Sequence, residues 1–91
     1  MFRAILFLLA TSTGALAWEN PPPMAPYQGK LSIISVPFLQ VLRYCPGSGR
    51  AWACSYRGRD GCRIVLPNDL TPEIIASLKA HELAHCSGWR H

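Results

Sequence analysis

The chain has 91 residues with four cysteines, three histidines and a formal net charge of +4 at pH 7. A chain of this length buries little apolar surface, so a fold held by a hydrophobic core alone would be only marginally stable. The positive charge comes without a recognisable nucleic-acid-binding motif and no internal repeat is visible, so we expect neither a nucleic-acid partner nor a repeat architecture.

The first 17 residues have the three parts of a signal peptide. Arg3 supplies a positive charge, residues 4–10 form a short apolar run, and Ala15 and Ala17 provide the small residues of a cleavage site. The apolar run is too short to span a bilayer comfortably, and no second hydrophobic stretch follows. We therefore expect export to the periplasm or the medium, with no stable membrane span after cleavage. An uncleaved anchor or an N-terminal core helix is the alternative.

Residues 18–29 form a proline-rich segment, WENPPPMAPYQG. Proline fixes φ and removes a backbone donor, so this segment is expected to be an extended linker. A proline-rich ligand for a partner domain is the alternative. The folded domain is expected to cover residues 30–91.

The first half of this domain favours a strand and a short helix. Residues 31–36 (LSIISV) are rich in β-branched residues and end at a proline, which is typical of a strand. Residues 37–44 favour a short helix, since Pro37 suits a first helical turn. Phe38, Val41 and Leu42 would then face the core.

A β-hairpin is predicted next. Residues 51–57 and 62–67 have strand-forming composition, and the turn between them, residues 58–61, begins and ends with glycine. We expect this hairpin to form the main part of a small antiparallel sheet.

The four cysteines all lie in the part of the chain expected to be exported; they are Cys45, Cys54, Cys62 and Cys86. An even number in an oxidising compartment predicts two disulfide bonds, with three possible pairings. A four-cysteine zinc site is the alternative, but no CxxC pair supports it. Each disulfide bond typically contributes about 2–4 kcal/mol, which would offset the small core.

The C-terminal segment is predicted to be a helix. Asn68, Asp69 and Thr71 can each cap its N-terminus, and Pro72 suits the first helical position. Ile74 and Leu78 precede two histidines at helical spacing. The histidine-bearing face therefore continues the face that the helix buries.

The last eleven residues, HELAHCSGWRH, contain the pattern HExxHxxGxxH. His81 and His85 are four residues apart, so both imidazoles leave the same helix face and can share a metal ion. Glu82 is offset by one residue, which suits a general base acting on water at that metal. Gly88 can take the positive φ that ends a helix and reverses the chain. The reversal would bring back His91 as a third ligand, through its imidazole or its terminal carboxylate.

This pattern resembles the metzincin clan of zinc metalloendopeptidases. The zinc ligands of the clan match His81, His85 and His91. Its catalytic base matches Glu82, and its turn glycine matches Gly88. Members of the clan continue past the third histidine into a subdomain with a methionine-containing turn. Here the methionines are Met1 and Met24. The resemblance therefore implies a minimal form: a small zincin-like α+β domain, stapled by disulfides, with a short antiparallel sheet or hairpin packed on the zinc-binding helix.

The implied function is zinc-dependent hydrolysis of a peptide or protein substrate. Tyr56 or Arg57 of the hairpin could assist Zn²⁺ in stabilising the oxyanion, and the strand at residues 64–66 or its neighbour could pair with an extended substrate. Five arginines between Arg43 and Arg63 favour acidic substrates or an anionic envelope surface, or form a solvated basic face. Two alternatives remain: a non-catalytic, zinc-stabilised interaction module of an envelope or secretion assembly, and an enzyme that a partner protein completes.

Overall fold

The computed structural model describes residues 20–47, 49 and 51–90 of the chain. In chain order its elements are strand β1 (Leu31–Val36), a 3-10 turn (Phe38–Gln40) that runs into helix α1 (Val41–Tyr44), strands β2 (Cys54–Gly58) and β3 (Gly61–Pro67), and helix α2 (Pro72–Cys86). The α+β class is therefore confirmed. The predicted signal peptide, residues 1–17, lies outside the described residues.

The three strands form a mixed sheet in the order β1-β3-β2. β1 pairs with β3 in parallel, and β2 pairs with β3 antiparallel. The expectation of an antiparallel sheet is thus right for the hairpin and wrong for β1. The reason is topological: the chain passes through α1 to the far edge of the sheet before the hairpin returns it to the middle. β3 is consequently paired on both sides, and β2 is an edge strand.

The hairpin turn is tighter than predicted. Gly58 and Gly61 are themselves paired across the ladder, so that Arg59 and Asp60 alone form the loop. Gly61 has φ +142°, and a Cβ there would collide with the backbone of Lys30. The second glycine is therefore required both by the turn and by the close approach of β1.

Helix α1 covers one face of the sheet with few side chains. Val41 is buried, whereas Phe38 is half-buried with its ring 5.1 Å from that of Trp52. Leu42 is exposed, so the expectation that it faces the core is wrong. A single helical turn presents only one side to the sheet, and Val41 occupies it.

The sheet separates two small hydrophobic clusters, and each contains one disulfide bond. Because side chains alternate along a strand, Cys62, Ile64 and Leu66 face α2 while Val65 faces α1. The bonds join Cys45 to Cys54 and Cys62 to Cys86. The prediction of two disulfides is confirmed and the four-cysteine zinc alternative is wrong. Two disulfides in so short a chain are typical of an oxidising compartment.

Helix α2 is capped at both ends by its own sequence. The Thr71 hydroxyl accepts a hydrogen bond from the Ile74 amide at 3.3 Å, and Pro72 follows at the first helical position. After the last turn Gly88 has φ +107°, and the Trp89 amide donates to the Ala84 carbonyl at 3.0 Å. Together with the bond from the Gly88 amide to the His85 carbonyl, this is a Schellman motif.

The described part of the proline-rich segment, residues 20–29, contains no helix or strand. It nevertheless contacts the domain. The Tyr27 ring packs against the cluster beneath α2, and the Ser87 hydroxyl donates to the Ala25 carbonyl at 3.3 Å. Among the described residues no helix is long and apolar enough to cross a membrane.

Candidate functional site

His81 and His85 point their imidazoles at each other across one turn of α2. Their Nε2 atoms lie 3.2 Å apart. Two nitrogen ligands of a tetrahedral zinc ion, each about 2.0–2.1 Å from the metal, are separated by roughly 3.3–3.4 Å. The pair therefore fits two ligands of one metal ion. The same distance also suits a hydrogen bond between the two rings when they are neutral.

The segment after Gly88 holds the two rings in place. The Nδ1 atom of His85 is 2.7 Å from the Trp89 carbonyl oxygen, which can only accept a hydrogen bond. Nδ1 therefore carries the proton, and the lone pair of neutral His85 is on Nε2, facing His81. The Trp89 ring stacks on His85 at 4.9 Å and meets the edge of His81 at 5.1 Å.

Trp89 did not emerge from the sequence as a site residue, although one signal was available. A glycine that ends a helix in a Schellman motif is commonly followed by an apolar residue that folds back on the last turn. Trp89 follows Gly88 directly, and the last turn of α2 contains His85. The glycine thus places an aromatic ring over the histidines.

Glu82 shares a cleft with both histidines. The cleft has a volume of about 620 Å³ and lies between the end of α2 and β2. Its described lining residues are Ala51, Ala53, Ser55, Arg57, His81, Glu82, His85, Gly88, Trp89 and Arg90. Glu82 is only 7% exposed. Every fully buried side-chain nitrogen or oxygen of the described residues has a hydrogen-bond partner.

Of the two hairpin residues considered for oxyanion stabilisation, the structure brings only Arg57 to the cleft. Neighbouring residues of a strand face opposite sides of the sheet. The Tyr56 hydroxyl accordingly donates to the Tyr44 carbonyl at 3.1 Å, on the α1 side. Arg57 reaches the end of α2, where its Nη1 lies 3.6 Å from the position that a Cβ on Gly88 would occupy.

The described residues supply two nitrogen donors and no further ligand. Within residues 20–47, 49 and 51–90, no group of three or more His, Cys, Asp or Glu side chains could hold a metal ion. The Cys86 sulfur is bonded to Cys62 and is not available as a thiolate. The predicted third ligand, His91, lies outside the described residues.

No family model, curated protein or solved structure matches this chain. The assignment to the metzincins is therefore wrong: no family model supports it, and the described residues contain no three-ligand metal group of the kind that defines the clan. An eleven-residue pattern dictates the helical geometry of two histidines and the turn that follows. It does not determine the rest of a fold, and a resemblance confined to it does not establish a family.

Proposed function

We propose that the protein is a small exported hydrolase that cleaves peptide bonds with the help of Zn²⁺. His81 and His85 are the proposed ligands, and Glu82 is the proposed general base. The observation that carries the proposal is the 3.2 Å separation of the two Nε2 atoms, in a cleft that Glu82 also lines. The proposal depends on these donors and their distances, not on membership of a family.

The bound metal ion, Trp89 and Glu82 have separate roles in the proposed reaction. Bound Zn²⁺ would supply Lewis acidity for the attacking water and the peptide carbonyl. The Trp89 carbonyl keeps the His85 ring in the tautomer that presents Nε2. Glu82 accepts a proton from the attacking water and delivers it to the leaving amine.

The third ligand is proposed to come from His91. Trp89 packs against both imidazoles, and two residues extend a chain by at most about 7 Å. This short separation along the chain from Trp89 is what supports His91 as the proposed ligand. A partner protein that donates a ligand is the alternative source.

The substrate is proposed to bind as an extra strand along β2. β3, which contains residues 64–66, is paired on both sides and has no free edge for a substrate. Its neighbour β2 is therefore the strand proposed to pair with the substrate. The inward side chains of β2, including Ser55 and Arg57, line the cleft. A peptide added to this edge would run past the histidines with its backbone held by the ladder. We propose a zincin-like arrangement in this sense alone: a helix would present metal-binding histidines beside the open edge of a sheet.

A non-catalytic, zinc-stabilised module for an envelope or secretion assembly is the competing proposal. The positions of the two ligands argue against it. His81 and His85 are one turn apart on the same helix, so a metal bound to them alone closes a very short loop and joins no separate elements. A stabilising role would depend entirely on the third ligand.

The test is zinc content together with hydrolysis for the oxidised protein and its Glu82→Gln variant. Both proteins should bind one Zn²⁺, because the amide replaces a residue that is not a proposed ligand. Only the wild type should cleave unfolded protein substrates, since loss of a general base typically costs about 10²–10⁴-fold in rate. Glu73→Gln, on the first turn of the same helix, is the matched control and should remain active. If both wild type and Glu82→Gln bind zinc and are equally inactive, the module replaces the enzyme.

A further inference from the structure

The charges that line the cleft are unbalanced. Among its described lining residues, Arg57 and Arg90 are cationic and Glu82 is the one carboxylate. The other acids of the described chain lie elsewhere: Asp60 is in the hairpin loop, Asp69 accepts a hydrogen bond from the Phe38 amide at 2.9 Å, and Glu73 is in the first turn of α2. The cleft therefore favours an anionic group over a cationic one.

A second cavity extends this positive charge around the hairpin end of the sheet. It has a volume of about 540 Å³ and is lined by Lys30 and three arginines, with Asp60 as the one acid among its described lining residues. Of the arginines that the structure describes, Arg57 alone lines both cavities. A ligand in the cleft and a ligand at the end of the hairpin would both meet its side chain.

The fold places the Arg57 guanidinium in the lining of the cleft, beside the end of α2. Arg57 belongs to the edge strand, and its Nη1 lies close to Gly88, 3.6 Å from the position that a Cβ there would occupy. Guanidinium presents its donors as a planar fork that matches the two oxygens of a carboxylate. A peptide paired with β2 would pass this fork on its way to the histidines.

We infer that Arg57 binds a carboxylate of the substrate and so determines its specificity. The substrate class is then peptides that carry a carboxylate close to the scissile bond. Either an Asp or Glu side chain or a free C-terminus would provide this group. The inference rests on the proposed peptide hydrolase function, but it is tested by binding rather than by turnover.

The experiment is calorimetric titration of the Glu82→Gln protein, with and without added zinc, using three peptides of otherwise identical sequence. One has a Glu residue and an amidated C-terminus, one has Gln and an amidated C-terminus, and one has Gln and a free C-terminus. At least one carboxylate peptide should bind about 10-fold more tightly than the neutral one, which corresponds to about 1.4 kcal/mol. Whichever peptide gains affinity identifies the source of the carboxylate.

Variants in the same background assign the effect to Arg57. Adding Arg57→Gln should abolish the preference, and adding Arg57→Lys should retain part of it, because lysine keeps the charge but not the fork. The matched control is Arg43→Gln, which removes an equal charge from an exposed position of helix α1, outside both cavities. Arg43→Gln should leave the preference unchanged.

The possible results separate this inference from the hydrolase proposal. Equal binding of all three peptides, no binding at all, or an equal loss for Arg57→Gln and Arg43→Gln would overturn the role of Arg57, whether or not the wild type cleaves peptides. An Arg57-dependent preference in a protein that neither binds zinc nor hydrolyses peptides would support carboxylate binding and reject the hydrolase. A folded Arg57→Lys protein that loses the preference for carboxylate peptides, while Arg43→Gln keeps it, would still support the role of Arg57.

Discussion

The carbonyl oxygen of Trp89 lies 2.7 Å from Nδ1 of His85, and the ring of the same tryptophan stacks on that imidazole. One residue therefore controls both the tautomer and the orientation of a proposed metal ligand. Its position depends on the positive φ of Gly88, which turns the chain back over α2. The geometry of the histidine pair is thus coupled to a backbone turn three residues away.

Gly88→Ala should lower both stability and zinc affinity. Alanine at φ +107° is strained by about 1–2 kcal/mol, and relief of that strain would move the Trp89 carbonyl away from His85. Thermal unfolding and zinc titration against a competing chelator measure the two effects. Gly47→Ala is the matched control, because Gly47 has φ +80° and no atom within 4 Å of its Cβ position. Gly47→Ala should be destabilised about as much as Gly88→Ala but should keep its zinc affinity. An equal loss of zinc affinity in both variants would contradict the coupling between the Gly88 turn and the histidine pair.

The two disulfide bonds should differ in their effect on the site. They enclose sequence separations of 9 and 24 residues, for which loop-closure entropy predicts stabilisation of about 2.6 and about 3.5 kcal/mol respectively. Replacing Cys62 and Cys86 by serine should therefore destabilise the protein more than replacing Cys45 and Cys54. It should also weaken zinc binding, since Cys86 adjoins His85 and ties the end of α2 to β3.

Chemical denaturation and zinc titration of the two double variants test this difference. Thiol titration of the unmodified oxidised protein should find no free cysteine, since all four are paired. Equal zinc affinity in both folded double variants would show that the end of α2 does not need its disulfide to hold the histidines.

Local sequence patterns predicted the elements of this fold better than their arrangement. The bounds of β1 and the start of α2 follow from β-branched residues, proline and the Thr71 cap, all of which act within a few residues. The insertion of β3 between β1 and β2 depends on contacts between distant segments and has no local signal. For the same reason the strand next to the cleft could not be identified before the strand order was known.

In the candidate site, too, local features were predicted and tertiary contacts were not. Helical periodicity alone places His81 and His85 on one face, because residues four apart are always neighbours on a helix. The convergence of Arg57 from β2 and the return of Trp89 over the rings both depend on tertiary structure. The motif was therefore informative about the placement of two histidines and uninformative about family, since family is a property of the whole fold.

Tryptophan fluorescence should report zinc binding through Trp89. Its ring lies 4.9 Å from His85 and 5.1 Å from His81, so a metal ion bound to both imidazoles would change its emission. Trp52 instead packs with Phe38 beside α1. Trp89→Phe should consequently abolish most of the zinc-dependent change. It should also weaken binding by about 10-fold, within the range typical of residues that support metal ligands.

Trp52→Phe is the control for this measurement and should retain both the fluorescence change and the affinity. Zinc content measured independently by elemental analysis separates loss of the signal from loss of the metal. The emission of Trp89 is the part of the wild-type signal that Trp89→Phe removes. If zinc binds stoichiometrically to the wild type and leaves this part unchanged, the metal does not occupy the space between His81 and His85. The 3.2 Å contact between their Nε2 atoms would then be a hydrogen bond between two neutral rings, and the proposed ligands would have to be sought elsewhere in the chain.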